Sequence, residues 1–421
     1  MPRHFQQNLD MYAEVILKVG VNLQAGQRLL IGWPAAGLYG TLIELAPLVR
    51  IIARKAYEMG ARLVEVLWSD DQMRLIRFQH AARDTFAEFP RWRAQAAIEA
   101  AAAGDALLRL NAEDPDLLAG QDPELVALVN ATNAEHLTPF YQMLTRNAMN
   151  WSIATAPVSG WTEKLFPDLP ADEAQARFWD ALFQICRITA DDPLAAWQEH
   201  VRQLVARSEY LNRKQYAALR LTAPDTDLTI GLPKGHIWSG AHMRTQAGIG
   251  FTANIPTEEV FTMPHAGQTE GAVTMSKPLS YGGALIEGIR MTFSEGRLTR
   301  LTADKGEQYL RRVLDIDEGA RRLGEVALVP HSSPISQMGR LFYNTLIDEN
   351  AASHIAVGRG FRFAVQNGAA MSDEEFAASG GNSSKIHIDC MVGSGEMDVD
   401  GLTTEGVAEP LMRAGEWAFE V

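Results

Sequence analysis

Cysteine is almost missing from this chain: 421 residues hold only Cys186 and Cys390. Two thiols far apart, with no C-x-x-C pair, exclude a disulfide framework and a thiolate zinc site. Positive charge is in deficit, with 38 Lys+Arg against 52 Asp+Glu and a net charge of -14. An acidic surface argues against nucleic acid or an anionic membrane as the main partner. It suits metal cations and cationic or neutral substrates. No apolar run approaches the ~18 residues that a membrane span needs. The first twenty residues lack the apolar core and small-residue cleavage site of a secretory leader, so a reducing cytoplasm is the expected address. There is no G-x-S-x-G elbow for a serine nucleophile. Gly32, Gly37 and Gly40 follow a strand-like run but do not form the G-x-G-x-x-G of a dinucleotide site.

What is present is a globular composition, 47% hydrophobic and 21% charged, in a chain too long for one ordinary core. The first half alternates strand and helix patterns. Strands are expected near 28–33, 63–68, 106–110 and 151–154, and helices near 11–19, 42–59 and 94–103, with Gly60 as a natural helix stop. That alternation predicts an α/β domain with a largely parallel sheet. A helix over 193–214 leads to a different texture. Short glycine-punctuated strands then run to the end, opening with a turn at Pro224-Asp225-Thr226-Asp227 and interrupted by a helix expected over 307–323. The reading is an N-terminal α/β domain, 1–214, and an α+β C-terminal domain, 215–421, each of ordinary domain size.

The most telling motif lies near the C-terminus. His387-Ile388-Asp389 sits in a β-branched run, and strand residues two apart share a face. An imidazole and a carboxylate would therefore converge, as they do around catalytic divalent metals. His354 lies in another apolar strand-like run, Glu325 enters a third, and Glu259 follows Glu258 in a Thr-Glu-Glu-Val segment. Together Glu259, Glu325, His354, His387 and Asp389 can complete a two-metal site. Taken singly, each has a plainer reading, as a satisfied core histidine or a solvated turn glutamate. Cys390, adjacent to Asp389, would face the opposite side of its strand.

These segments, with TDLTIGLPKGHIWSGA, NIPTEEVFTMP, LGEVALV, GRLFYNTLIDENAASHIAVG and SSKIHIDCMVGSGEMDVDG, resemble the metallo-aminopeptidase family that includes thermophilic aminopeptidase T. The resemblance covers nearly the whole chain. It implies metal ligands at Glu259, Glu325, His354, His387 and Asp389, with Glu325 bridging two divalent ions of zinc, cobalt or manganese. It also implies small peptide substrates and a homodimer. Glu258 becomes the candidate general base or ammonium anchor. One position departs: where relatives carry a tyrosine, this chain has Phe361, whose ring cannot donate a hydrogen bond. Arg359, His331 and Tyr343 are the candidate replacement donors. Two other readings stay open. One is a mononuclear iron ring-cleaving dioxygenase of the same superfamily, and the other is a peptide-binding relative with weakened turnover.

Overall fold

The structure, a computed structural model, describes residues 3–35, 39–282 and 284–421. Gly37 lies outside them. The chain forms two units, Met1–His200 with His242–Pro256, and Val201–Ala241 with Thr257–Val421.

The first unit is built on a five-stranded sheet. Its strands are β1 (Arg28–Ile31), β2 (Leu63–Val66), β3 (Ala106–Leu110), β4 (Trp151–Ala154) and β5 (Asn254–Ile255). Their order is β5-β4-β3-β1-β2, and every neighbouring pair is parallel. Parallel strands covered on both faces read as continuous apolar runs, and all five residues of β3 are buried. The alanine-rich helix Arg91–Ala102 buries Ala94, Ala97 and Ala101 against this core, and their small side chains let it lie close to the sheet. Trp33 fills the same core, with ring centroids 5.8 Å from Phe140 and 6.5 Å from Trp151. The helix Ala46–Glu58 ends at Gly60, whose φ of 90° is the left-handed stop that glycine supplies without strain. The α/β reading of this region holds. Strand β5 is the part it did not contain, because two residues far along the chain carry no strand signal of their own.

The second unit contains an eight-stranded antiparallel sheet. Its first hairpin, Ala218–Ala223 with Thr226–Gly231, turns at Pro224-Asp225, where Asp225 has a φ of 56°. A second sheet holds β6 (Val260–Thr262), β7 (Leu323–Leu328), β8 (His354–Gly358) and β9 (His387–Met391), in that order and antiparallel throughout. One apolar cluster joins the two sheets: Leu219, Leu228 and Phe293 from the first meet Val326, Ile355, Val357 and Ile388 from the second. Cys390 lies in that cluster, and both cysteines are buried and form no disulfide.

The helix expected over 307–323 is shorter, Glu307–Leu314, followed by a 3-10 turn at Glu318–Arg321. Asp317 is the reason. Its carboxylate accepts the Ala320 N–H at 2.8 Å, the Lys385 N–H at 2.7 Å and the Ser384 hydroxyl at 2.8 Å. Side-chain bonds of this kind compete with helix continuation, and they free Leu323 to begin β7.

Candidate metal centre

Strand pairing dictates which residues meet. In an antiparallel ladder, directly opposed residues put their side chains on one face. Ala356, at the middle of β8, lies opposite Glu325 on β7 and Asp389 on β9. Counting two residues along each strand adds His354 and His387 to that face. The opposite face carries Val326, Ile355, Val357, Ile388 and Cys390, all in the apolar core. The same alternation that packs one side thus gathers two imidazoles and two carboxylates on the other, over a floor made small by Ala327, Ala356 and Gly358.

A β-bulge sets the parity on β7. Leu323 pairs with Val357 and Glu325 with Ala356, so Gly324 is the extra residue. Leu323 and Val326 both reach the core while Glu325 still faces the site. Only glycine fits here, since a Cβ on residue 324 would lie 2.4 Å from the carbonyl oxygens of Gly358 and Arg359.

Glu259 arrives from the turn before β6. The segment 256–259 is not regular strand, so the alternation that would separate Glu258 from Glu259 does not apply, and both are buried. The Glu258 N–H donates to Asn350 Oδ1 at 2.7 Å.

Two groups result. Ligand-type atoms of Glu259, Glu325 and His354 lie within 4.8 Å of one another, and so do those of Glu325, His387 and Asp389. Glu325 belongs to both. His354 Nε2 is 3.2 Å from Glu259 Oε2, while His387 Nε2 is 3.1 Å from Glu325 Oε2 and 3.2 Å from Asp389 Oδ1. Each imidazole is fixed from behind, His354 Nδ1 by the Ala352 carbonyl at 3.1 Å and His387 Nδ1 by the Arg359 carbonyl at 2.7 Å. A carbonyl only accepts, so Nδ1 carries the proton and Nε2 is the nitrogen turned to the site.

Burial makes this assembly electrostatically demanding. Burial alone would depress both histidines. Glu259, Asp389 and Glu325 outweigh it and push His354 up to about 10, and Asp389 with Glu325 hold His387 well above its ordinary value. Burial pushes the Glu325 carboxyl up. It acts on Asp389 too, but the His387 charge overrides it and holds that group low. A further carboxylate, Glu349, is forced well up by burial and by the charges of Asp389, Glu259 and Glu325. Glu259 Oε2 is buried and, despite its approach to His354, makes no hydrogen bond. Four carboxyl groups around two imidazoles are accommodated in this low-dielectric place by holding protons, on the imidazoles and toward Glu325 and Glu349, and a bound cation would take the place of those protons. Carboxylate and imidazole donors of this kind suit divalent zinc, cobalt or manganese.

Glu349 escaped the sequence reading. It lies in the Leu-Ile-Asp-Glu-Asn stretch before His354, on a 3-10 turn whose direction no periodicity reveals. Phe361 sits beside the centre, its ring 5.0 Å from that of His387 and stacked on Phe363 at 5.2 Å. Of the candidate replacement donors, Arg359 contributes its carbonyl to His387. His331 Nδ1 lies 3.3 Å from the Ser336 hydroxyl, and Tyr343 occupies a turn with a φ of 58°.

The model of the family described as thermophilic metalloprotease (M29) matches residues 5–417. Aminopeptidase 2 of Geobacillus stearothermophilus is 45% identical over 417 residues, covering 99% of each chain. Aminopeptidase T of Thermus thermophilus is 42% identical over 413 residues, covering 98% of this chain and 99% of its own. The solved structure of wild-type AmpT from Thermus thermophilus superimposes with a TM-score of 0.92 over 99% of this chain and 100% of that one, at 42% identity. A 2,5-dihydroxypyridine dioxygenase from Pseudomonas putida KT2440 shares the fold, with a TM-score of 0.53 at 12% identity over 98% of this chain and 97% of that one. Full-length agreement at this identity, in sequence and in structure, settles the family: the chain belongs to the M29 thermophilic metalloproteases.

Proposed function

We propose that this metallo-aminopeptidase removes the N-terminal residue of small peptides at the centre formed by Glu259, Glu325, His354, His387 and Asp389, with two divalent cations. One observation carries the two-cation reading: Glu325 is common to both groups of ligand-type atoms. Glu325 would be the group common to both ions, which when held there would supply Lewis acidity and water of lowered pKa. Glu259 and His354 are assigned to one position, and His387 and Asp389 to the other.

The chain's own groups do the arranging. The Arg359 and Ala352 carbonyls hold the two imidazoles with Nε2 forward. Ala327, Ala356 and Gly358 leave room above the sheet. Glu258, buried one residue before Glu259, is assigned as general base or as anchor for the substrate ammonium. A Glu258→Gln variant with full activity would remove that role. Glu349, buried and within reach of the charges of Asp389, Glu259 and Glu325, is assigned to the same centre as a sixth polar group. The dioxygenase alternative has only the distant likeness of fold behind it. No helix among the described residues is long and apolar enough to cross a membrane. Two buried cysteines outside any disulfide agree with a reducing cytoplasmic address, and the resemblance supports a homodimer.

The test is release of free amino acids from unblocked peptides by purified protein reconstituted with Co²⁺, Zn²⁺ or Mn²⁺. N-acetylated peptides and a His387→Ala variant run beside it. Activity that needs metal, a free amino terminus and His387 is the expected result. Metal and peptide binding without turnover would instead identify a weakened peptide-binding relative. One tightly held iron per chain would favour the dioxygenase.

A further inference from the structure

Two buried asparagines stand behind the centre, one on each side, and neither offers a ligand atom to it. Asn382 donates through Nδ2 to the Gly358 carbonyl at 2.6 Å and to the Gly319 carbonyl at 2.8 Å. Its backbone carbonyl accepts the Gly360 N–H at 2.9 Å. One residue therefore grips both ends of the Gly358-Arg359-Gly360 turn. The middle of that turn is the Arg359 carbonyl, which takes the Nδ1 proton of His387 at 2.7 Å. The backbone here has no slack of its own: Gly358 has a φ of 106°, and Gly324 leaves no space for a Cβ beneath the two carbonyls.

Asn350 plays the matching part on the other side. Its Oδ1 accepts the Glu258 N–H at 2.7 Å and its Nδ2 donates to the Leu346 carbonyl at 3.0 Å. Its carbonyl in turn accepts the Ser333 hydroxyl at 2.9 Å. The segment 256–259 lies outside the strands, and this bond ties the backbone that presents Glu259 to a buried side chain. Both amides are buried, so these bonds are not traded against water.

We infer that Asn382 and Asn350 are positioning residues, each serving one cation position: Asn382 acts through Arg359 on His387, and Asn350 through the Glu258 backbone on Glu259. The inference rests on the two-cation reading above. Groups that orient metal ligands from behind typically change affinity by about 10–100-fold when removed.

The experiment is a Co²⁺ titration of the full-length protein stripped of metal by chelation, followed by visible absorbance and calorimetry. The unaltered protein and its His354→Ala and His387→Ala variants come first. Two binding events, each abolished by a different histidine variant, establish the reading on which the inference rests. One event, or two that the histidine variants do not separate, would overturn the reading and the inference together. Given two events, Asn382→Ala is expected to weaken the His387-dependent one about 10–100-fold and leave the other within about 2-fold. Asn350→Ala should do the reverse. Equal loss at both events, or no loss at either, overturns the inference while leaving the two-cation reading intact. Isosteric variants cover the case in which alanine prevents folding. Asn382→Asp cannot donate to the two carbonyls and should reproduce the selective loss. Asn350→Asp keeps an acceptor for the Glu258 N–H but loses the donor to the Leu346 carbonyl, so it should weaken the His354-dependent event less than Asn350→Ala does. A loss for Asn350→Asp as large as that for Asn350→Ala, or an Asn382→Asp that binds like the unaltered protein, overturns the inference as well.

Discussion

Strand β3 of the first unit and strand β8 of the second are both five residues long and buried along their whole length. Each carries or adjoins buried charge, yet only one lines the candidate metal centre. On β3, Arg109 donates to the Trp33 carbonyl at 3.0 Å and meets Glu113 at 3.4 Å. Glu113 also lies 4.0 Å from Arg74, itself 3.8 Å from Asp71, so two cations face two anions and the charges balance. Around β8, the carboxylates of Glu259, Glu325, Asp389 and Glu349 outnumber the imidazoles of His354 and His387, and a buried oxygen of Glu259 is left without a hydrogen bond. Burial by itself is no sign of function. Buried charge that balances through fixed cations is structural, whereas buried acids that balance only by holding protons have room for a cation in their place.

That contrast is open to attack, most forcefully at Glu325. Glu325→Gln removes the group shared by both proposed cation positions. The expected loss in kcat/KM is at least about 10³-fold, because cation stabilisation of the transition state is worth several kcal/mol. The metal-free variant should melt higher than the metal-free parent, since like-charge crowding is relieved. Arg109→Leu on β3 should show the opposite pattern. It should cost about 1–3 kcal/mol of stability, with or without metal, because its partners lose a charged donor, while metal affinity is unchanged. Calorimetric melts of both variants in both states check the pair, and a lower metal-free melting point for Glu325→Gln would contradict such crowding.

Phe361→Tyr comes next. If turnover lacks a donor beside His387, a restored hydroxyl should raise kcat by up to about 10²-fold. Steady-state rates with the same peptides decide it, and an unchanged kcat would mean that another group already supplies the bond.

The two faces of β8 sharpen the comparison further. Ile355→Ala, on the core face, should cost about 2–5 kcal/mol of stability with metal affinity nearly intact. Ala356→Leu, one residue on, should instead block the site and abolish metal uptake with a smaller change in stability. Chemical denaturation and metal titration separate the two, and equal effects from both would contradict the division of faces.

The smallest effect is in pH. In the metal-free protein His354 is raised to about 10, against about 6.5 for an exposed histidine. A raised value in the folded state contributes stability that is complete below about 6.5 and is lost as pH climbs toward 10. The metal-free melting temperature should fall across that window, and His354→Gln should flatten the fall. Metal reverses the sign, since ligation needs neutral imidazole: affinity should rise with pH and binding should release protons. Calorimetry in buffers of different ionisation heat measures that release.

Much of this was legible in the chain. The apolar runs and glycine stops of the first half marked the parallel sheet, because a strand buried on both faces has little choice of residue. His387 and Asp389 were legible as a pair because a strand's period of two is a local rule. Glu349, Asn350 and Asn382 were not. They lie on turns and loops, where no periodicity states a direction, and their partners are tens of residues away. The helix expected over 307–323 ran too far for a related reason: Asp317 is drawn off by Ser384 and Lys385, which only the folded chain brings near.

The sequence by itself determined the alternation on β7, β8 and β9 that sends apolar residues one way and ligand-type residues the other, and it carried enough family likeness to place the chain among metallo-aminopeptidases. Tertiary structure alone decided that Glu325 and Asp389 flank Ala356, that the bulge at Gly324 keeps Glu325 on the site face, and that two carbonyls set the direction of two imidazoles. Which side of a strand a residue occupies follows from its neighbours in the chain. Which residue it meets there follows from register, and register is fixed only when distant strands pack over a common core.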